Sequence, residues 1–324
     1  MSSPTCTTST TKPPASSVRQ YAAEIWLSPG TKLGEAPFHC ASEGALRFVD
    51  IVRRRMYRVP LSKPQELRET QLDISVGCTA SIKGRLGGFV FGGKAGYGIM
   101  DARGEWRYIA KFWGDGESEK RFRANDGAVD ARGRFFVGTM CDPLEGEVER
   151  LGTLFRLDKD LSLHKVRYPV TIPNGMSWSK DNRFVYITES AENHITKYPY
   201  DIETGTIDFD NGHVFFQCPY EGGVPDGHAR DIEGCFWISL YGVGKVVRVN
   251  EQGEIIAMIE LPTRCVTCPA ICDEDLYITS AEEEDPDKHP ESARVQGSVF
   301  KVAIGVKAAP VNEFVMDDRE AVEV

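Results

Sequence analysis

The sequence has no apolar run long enough to cross a bilayer, which takes about 20 consecutive apolar residues. The first 17 residues are rich in Ser, Thr and Pro and lack the apolar segment of a secretory signal. Both absences predict a cytoplasmic protein that has no membrane partner. We expect residues 1–17 to form a disordered tail, because this composition cannot bury enough apolar surface to fold.

Positive charge is also scarce. The chain has 38 Lys and Arg against 48 Asp and Glu, a net charge of −10, and its basic residues do not cluster. Nucleic-acid binding requires clustered cations against the phosphates, so we predict no nucleic-acid partner. The densest charged run, Glu282–Glu291, lacks the glycine turn and ligand spacing of a cation site, and we predict a solvated loop there.

The cysteines show no disulfide pattern. Nine of them, an odd number, are scattered along a chain large enough to fold without cross-links, which indicates reduced thiols. Cys265, Cys268 and Cys272 have the spacing C-x2-C-x3-C, but they lack the fourth ligand and the second Cys/His pair that a zinc site would need. We therefore expect these three residues to be buried thiols.

A helical period is missing too, since no window keeps one for more than a turn or two. Instead, short runs of alternating apolar and polar residues are separated by turns such as DARGEW and NEQGEI. Six segments follow one pattern at a period of roughly 40–50 residues, which is typical of propeller blades. We predict an all-β fold, a single six-bladed β-propeller domain over residues 18–324.

A propeller also needs a strand that closes its ring. Glu24–Leu27 has the pattern of a strand that would complete the last blade and cover an exposed sheet edge. A two-sheet sandwich is the rival fold. It would account for the strands but not for six matching segments.

Four of the six segments begin with a side-chain oxygen donor followed by Gly, Ala or Asp, and the other two begin at Cys78 and Cys268. The four are EAPFHC from Glu35, NDGAVD from Asn125, NGMSWS from Asn174 and DGHARD from Asp226. In a propeller, residues at the same point of each repeat meet around the central axis. Two carboxylates and two amides form an all-oxygen set, which suits one hard divalent cation. We expect Ca²⁺, with Mg²⁺, Mn²⁺ or Zn²⁺ as alternatives.

Such a site is suited to the hydrolysis of an ester or lactone, because a bound cation polarises a carbonyl and acidifies water. Asp226 is then the candidate catalytic residue, which ligates the cation and takes a proton from the attacking water. Arg123, two residues before Asn125, is a candidate to bind a substrate oxygen or the developing oxyanion. His228 is expected to be a packed residue of the inner strand rather than a base.

Four motifs resemble the family of senescence-marker protein (regucalcin), gluconolactonase and luciferin-regenerating enzyme. They occur in the family's order, at Leu33–His39, Phe122–Met140, Ile172–Ser190 and Pro225–Asn250. The resemblance implies a six-bladed propeller with one divalent cation near its axis, and hydrolysis of a small-molecule substrate, a sugar-acid lactone.

The resemblance also assigns roles to single residues. It implies that Glu35, Asn174 and Asp226 are the metal ligands and that Asp226 is the general base. It places Arg123 and Asn125 on the substrate side.

The chain departs from the family pattern in three places, and all three bear on the substrate. Many members have Thr-Asp-Ser where this chain has Thr188, Glu189 and Ser190. After the Gly-Thr-Met motif, a Glu often faces the sugar, and here Asp142 is the substrate-binding candidate. His228 and Cys268 stand where small or apolar residues are common.

Two other functions fit the same ligand set. One is a calcium-binding or regulatory protein without turnover, although a cation buffer gains nothing from Arg123 and Asn125 beside the metal. The other is an esterase or organophosphate hydrolase, since related propellers hold metals with similar oxygen ligands.

Overall fold

The computed structural model of this chain describes residues 18–114 and 118–317. The tail predicted for residues 1–17 lies outside this part. No helix of the described residues is both long and apolar enough to span a membrane.

The described residues form six sheets in succession, which are the six blades of a β-propeller, as the repeat predicted. The chain begins with two short strands, β1 (Arg19–Tyr21) and β2 (Glu24–Leu27). The strands of each blade are given from the innermost outward. Blade 1 consists of β3 (Gly34–Cys40), β4 (Ala45–Asp50), β5 (Arg55–Pro60) and β6 (Arg68–Gln71). Blade 2 consists of β7 (Val76–Ser81), β8 (Phe89–Gly93), β9 (Gly96–Met100) and β10 (Trp106–Lys111), and blade 3 of β11 (Phe122–Val129), β12 (Phe135–Cys141), β13 (Gly152–Leu157) and β14 (Leu163–Val170).

The remaining blades are blade 4, with β15 (Pro173–Trp178), β16 (Phe184–Glu189), β17 (His194–Asp201), β18 (Thr206–Ile207) and β19 (His213–Gln217); blade 5, with β20 (Val224–Arg230), β21 (Phe236–Tyr241), β22 (Lys245–Val249) and β23 (Ile255–Glu260); and blade 6, with β24 (Val266–Cys272), β25 (Asp275–Ser280) and β26 (Val299–Ala303). The helices are short: α1 (Ser118–Arg121), α2 (Pro290–Ala293) and 3-10 turns at Ala41–Glu43, Pro64–Glu66, Ser190–Glu192 and Phe209–Asn211.

The innermost strands contact one another in a closed ring, from β3 through β7, β11, β15, β20 and β24 back to β3. Strand β2 completes blade 6 by pairing antiparallel with β26, so the closing strand predicted at Glu24–Leu27 is confirmed. Strand β1 adds to the outer edge of blade 5, parallel to β23. Six separate sheets around one axis exclude the two-sheet sandwich.

Hydrophobic clusters fill the spaces between neighbouring blades. Each of the six clusters in the described part joins residues of two adjacent blades. Between blades 2 and 3, for example, Tyr97 packs edge-on against Phe135 with ring centroids 5.5 Å apart, and both side chains are fully buried. Because each blade is covered on both faces, the middle strands are almost continuously apolar, and burying them supplies most of the stability.

Each innermost strand has a shift in its pairing register near the start of its repeat segment. One extra residue at such a point bends the strand and redirects its side chains, here toward the axis. The shifts lie between Glu35 and Phe38, Val76 and Cys78, Ala124 and Gly127, Pro173 and Met176, Pro225 and His228, and Val266 and Pro269.

These shifts correct the alignment of the repeat in blade 6. The residues inside the shift are Thr267 and Cys268, just as Asp226 and Gly227 are in blade 5. Thr267, and not Cys268, therefore occupies the place of Asp226, and in blade 2 the residue inside the shift is Gly77 and not Cys78. The sequence pattern missed this because a bulge adds a residue that alternation alone does not reveal.

Candidate functional site

Four side chains predicted to meet at the axis lie on the innermost strands of blades 1, 3, 4 and 5. Glu35, Asn125, Asn174 and Asp226 are all buried, each less than a tenth exposed. Asn125, Asn174 and Asp226 are the first residues inside their register shifts, whereas Glu35 is the last paired residue before its shift and stands one position earlier than the repeat predicted. The structure thus brings together residues separated by up to 191 positions in the chain, from 35 to 226.

A chain of hydrogen bonds connects three blades at this level. Arg123 Nη1 donates to Asn125 Oδ1 over 2.7 Å, and Asn125 Nδ2 donates to Asn174 Oδ1 over 3.0 Å. Asn174 Nδ2 donates to Ser190 Oγ over 2.9 Å, and that hydroxyl donates to the Pro225 carbonyl over 2.7 Å. The chain fixes the orientation of both amides. The side-chain oxygen of Asn174 points toward Asn125 and accepts its hydrogen bond. The side-chain oxygen of Asn125 accepts the hydrogen bond from Arg123.

Ser190 is a positioning residue that sequence reasoning did not identify. It begins a short 3-10 turn after β16 and is buried. Its hydroxyl joins the amide of Asn174 in blade 4 to the backbone immediately before Asp226 in blade 5. The sequence shows its place at the end of the β-type run RFVYITES and in the Thr-x-Ser pattern at Thr188–Ser190, but neither signal assigns it a role.

Two buried acids, Glu35 in blade 1 and Asp226 in blade 5, interact electrostatically. Burial raises the pKa of Glu35 well above its ordinary value, and the charges of Asp226 and Asp126 raise it further. Burial and the charge of Asp126 likewise raise the pKa of Asp226, although Arg123 opposes this. Glu35 Oε2 accepts a hydrogen bond from the Ala36 amide over 3.2 Å, whereas Asp226 Oδ1 is buried without a hydrogen-bond partner among the described residues.

A third acid, Asp126, lies one layer below. Its Oδ1 accepts from the Gly127 amide over 2.6 Å, and burial raises its pKa to about 6. In the sequence it is the middle residue of an Asn-Asp-Gly motif, which is typical of a turn. The register shift instead places Asp126 inside the innermost strand.

These observations test whether a divalent cation fits the site. Buried like charges and an orphaned carboxylate oxygen are costly on their own, and a cation bound among them would remove both costs. Within the described residues, no three His, Cys, Asp or Glu side chains form a metal-binding group. The candidate donors are the carboxylates of Glu35 and Asp226 and the amide oxygen of Asn174. Such an oxygen set fits a hard cation.

The predicted substrate side is built around Arg123, which is buried. Its Nη1 is held by Asn125 and by the Ala124 carbonyl, and its Nε lies 4.0 Å from Asp142 Oδ1. Asp142 is itself engaged, because its Oδ1 accepts from the Leu144 amide over 3.1 Å. Asp142 thus orders the loop after β12 and supports the guanidinium electrostatically.

Lys94 is a second residue that the sequence did not single out. Its Nζ lies 2.5 Å from Asp142 Oδ2 and 4.0 Å from Glu145 Oε1. It follows the run FVFGG in the short turn between β8 and β9, and the pairing with Asp142 brings it to the Arg123 side of the site. The sequence could not predict this ion pair, because Lys94 belongs to blade 2 and Asp142 follows a strand of blade 3.

The departures from the family pattern have structural explanations. Glu189 accepts hydrogen bonds from the Thr171 and Ile172 amides over 3.1 and 2.7 Å, so it holds the chain just before Asn174. His228 is buried between Ser177 Oγ at 2.8 Å and Thr188 Oγ1 at 3.3 Å, and burial, aided by Arg230, lowers its pKa to about 3. His228 is thus a neutral packed residue, as expected.

The remaining expectations concern blade 6. Cys265, Cys268 and Cys272 are all buried, in agreement with the prediction. The run Glu282–Glu291 is mostly exposed, but Glu283 is not part of a solvated loop. It is 4% exposed and forms an ion pair with Arg264 at 2.8 Å.

The chain is similar to known proteins over most of its length. The family described as SMP-30/Gluconolactonase/LRE-like region matches residues 33–282. The chain is 30% identical over 302 residues to regucalcin from Xenopus laevis, an alignment that covers 90% of this chain and 97% of that protein. It is also 30% identical over 283 residues to 6-deoxy-6-sulfogluconolactonase from Pseudomonas putida, covering 85% of this chain and 92% of that protein.

A solved structure of the calcium-binding protein regucalcin from Agrobacterium tumefaciens has the same fold. The TM-score is 0.81 and the identity 24%, with 93% of this chain and 99% of that chain covered. The family match extends over most of the six blades and contains every predicted ligand. The chain therefore belongs to the SMP-30/gluconolactonase/LRE-like family.

Proposed function

We propose that this chain is a hydrolase that opens the ring of a sugar-acid lactone with the help of one divalent cation. The observation that carries the proposal is the buried Oδ1 of Asp226, which has no hydrogen-bond partner among the described residues and whose carboxylate interacts electrostatically with the buried Glu35. The relative named 6-deoxy-6-sulfogluconolactonase supports a lactone as the substrate class.

Glu35, Asn174 and Asp226 are the residues that would hold the cation. When bound, it supplies a Lewis acid that polarises the lactone carbonyl and acidifies a water molecule. The donor set favours Ca²⁺, because carboxylate and amide oxygens are its usual ligands.

The protein's own groups then carry out the proton transfers. Asp226 takes a proton from the water that adds to the carbonyl carbon, and Arg123 donates to the oxygen that gains negative charge. When the ring C–O bond breaks, the proton on Asp226 passes to the leaving ring oxygen. One water is consumed and an open-chain hydroxy acid is formed.

Asn125 and Asp142 complete the proposed substrate side. Asn125 joins Arg123 to Asn174, so it keeps the guanidinium and the ligand amide in one arrangement. Asp142, neutralised in part by Lys94, lies beside the guanidinium without forming a close pair with it. Arg123 therefore retains hydrogen-bonding capacity for a substrate oxygen.

The proposal is tested by acid release from a panel of five- and six-carbon sugar lactones. We expect turnover well above the spontaneous rate on at least one lactone, and a higher KM with a lower kcat for Arg123→Lys, because Lys cannot make the same paired contacts. Asp181→Asn, at an exposed position away from the site, serves as the control and should retain full activity. Cation binding without turnover of any lactone would instead support the calcium-binding function.

A further inference from the structure

A cavity lies on the axis below the proposed lactone site. Its volume is about 580 Å³, and its lining includes the halves of the innermost strands that follow the ligand positions. Glu35, Arg123, Asn174 and Asp226 are not among its lining residues. Small-molecule sites typically have roughly 300–1,000 Å³, so the cavity is of a size to hold a ligand of its own.

The walls of this lower cavity are mainly apolar and come from all six blades. Representative residues, one from each blade in order, are Phe38, Ala80, Val129, Met176, Ala229 and Ile271. The side chains converge because these positions follow the register shifts on strands that all run in the same direction along the axis. The result is an apolar tube rather than a flat surface.

The C-terminal segment forms one wall of the mouth. Residues 308–312 line the cavity. The Ala309 amide donates to the Arg230 carbonyl over 2.9 Å, and Asn312 Nδ2 donates to the Val129 carbonyl over 3.0 Å. Phe314 is fully buried against blades 2 and 3. The segment is thus tied to blades 2, 3 and 5 and gives the tube a built rim.

Two cations stand at this rim. Arg230 and Lys180 both line the cavity, and Arg230 Nη1 donates to the Trp178 carbonyl, two residues before Lys180. Arg230 Nε is buried without a hydrogen-bond partner in the part of the chain that the structure describes, and Arg230 Cζ lies 5.2 Å from the Phe236 ring centroid. A guanidinium has five N–H donors in a fixed plane, so an acceptor is missing here.

The neighbouring acids do not neutralise these cations by direct pairing. Asp181 is paired with Arg183 at 2.8 Å, and Asp231 is paired with Arg248 at 2.7 Å. Glu251 attracts Arg230 at longer range, but no ion pair joins either rim cation to a carboxylate in the described residues. Two acids line the cavity, Asp126 and Asp231. Asp231 is neutralised by Arg248, whereas Asp126 at the inner end would repel an anionic group and so favours its placement at the rim.

We propose that the lower cavity binds a small amphipathic carboxylate, with its carboxylate on Arg230 and Lys180 and its hydrocarbon chain in the apolar tube. The site is separate from the lactone site and does not depend on a cation or on lactone hydrolysis.

Octanoate is a suitable probe, titrated by calorimetry into protein that has been stripped with chelator. We expect saturable binding of one octanoate per chain, and at least tenfold weaker binding of the neutral analogue octanol. Lys180→Gln and Arg230→Met should each weaken octanoate binding at least tenfold. Arg183→Gln, which removes a nearby surface cation that does not line the cavity, is the matched control and should bind as the wild type does.

Several results would overturn the proposal. They are the absence of saturable octanoate binding in the millimolar range, equal affinity for octanol, or unchanged affinity in both rim variants. Arg123→Gln distinguishes binding in the lower cavity from binding in the lactone site, because octanoate bound in the lactone site would be lost in that variant. Lys180 is exposed, so its variant tests the charge even if Arg230→Met fails to fold.

Discussion

At the scale of single residues, the site consists of buried polar groups that hold one another. The amide of Asn125 is held on one side by Arg123 and on the other by Asn174. Asp226 is the exception, because one of its oxygens has no partner. A buried polar atom left unpaired costs stability, which indicates that function rather than folding accounts for this arrangement.

Asp226→Asn should abolish most of the lactonase activity without unfolding the protein. General acid and base groups contribute about 100- to 10,000-fold to rate, so we expect a loss in kcat of at least that order. In chelator-treated protein, the melting temperature should stay the same or rise, because one of two buried like charges is removed. Activity and thermal melts of the same preparation check this. Near-normal turnover would rule out the role given to Asp226.

His228 should make stability dependent on pH. Its pKa is lowered to about 3 in the folded protein, from an ordinary value of 6.5. Between these values the unfolded chain binds a proton that the folded chain does not, so this group lowers the free energy of unfolding as the pH falls below about 6.5. The loss is at most about 1.4 kcal/mol per pH unit.

Urea unfolding of the wild type and His228→Gln between pH 7 and pH 5 measures this effect. The variant should lose stability less steeply as the pH falls, because its side chain cannot take up a proton. Parallel curves would mean that His228 is protonated with equal ease in both states.

At the scale of elements, the register shifts of the innermost strands place the site. Inside the shifts, glycines permit neighbouring strands to approach closely. A Cβ on Gly227 would lie 2.4 Å from Cys268 Sγ and 2.9 Å from Cys268 Cα. A Cβ on Gly175 would lie 2.4 Å from His228 Nδ1 and 2.8 Å from its amide nitrogen. These two glycines follow Asp226 and Asn174, so they set the distance between ligand-bearing strands.

Gly227→Ala should therefore destabilise the protein by about 1–3 kcal/mol, the usual cost of an overpacked interior. It should also lower activity, because β20 and β24 must move apart next to Asp226. Gly114→Ala, where a Cβ would meet nothing within 4 Å, is the matched control. Equal urea midpoints for the two variants would contradict the packing described here.

The strands could be predicted from the sequence because their signal is local. The run RFVYIT, from residue 183, corresponds to β16 at Phe184–Glu189, and CFWISL, from residue 235, corresponds to β21 at Phe236–Tyr241. Alternation and turn residues suffice for such matches. Two features could not be predicted, because both depend on contacts between segments distant in sequence. One is the bulge that moves Thr267 into phase with Asp226, and the other is the ion pair of Lys94 with Asp142.

At the scale of the whole molecule, the ring is closed by joining the two ends of the chain. Blade 6 takes its outermost strand, β2, from the N-terminal part, and its other strands from the C-terminal part. Ile25 pairs with Phe300, and Trp26 packs edge-on against Tyr277 with centroids 4.6 Å apart. Because the site uses residues of four blades, its geometry depends on this closure.

Ile25→Pro should weaken the closure. Proline removes a backbone donor and disrupts pairing with β26, and a hydrogen-bonding group left unsatisfied costs about 1–3 kcal/mol. Since Ile25 is 47% exposed, Ile25→Thr changes little packing and serves as the control. We expect a lower melting temperature for the proline variant alone. An unchanged melting temperature would show that the ring does not depend on β2.

The most direct test of the central claim measures cation binding and lactone turnover in one titration. Chelator-stripped protein is supplied with Ca²⁺, and in separate runs with Mg²⁺, Mn²⁺ or Zn²⁺, while bound ion and hydrolysis rate are followed together. We predict that activity is absent at first, rises in proportion to bound ion and reaches its maximum at one ion per chain. Full activity in the stripped protein, or one tightly bound ion with no turnover, would contradict the account.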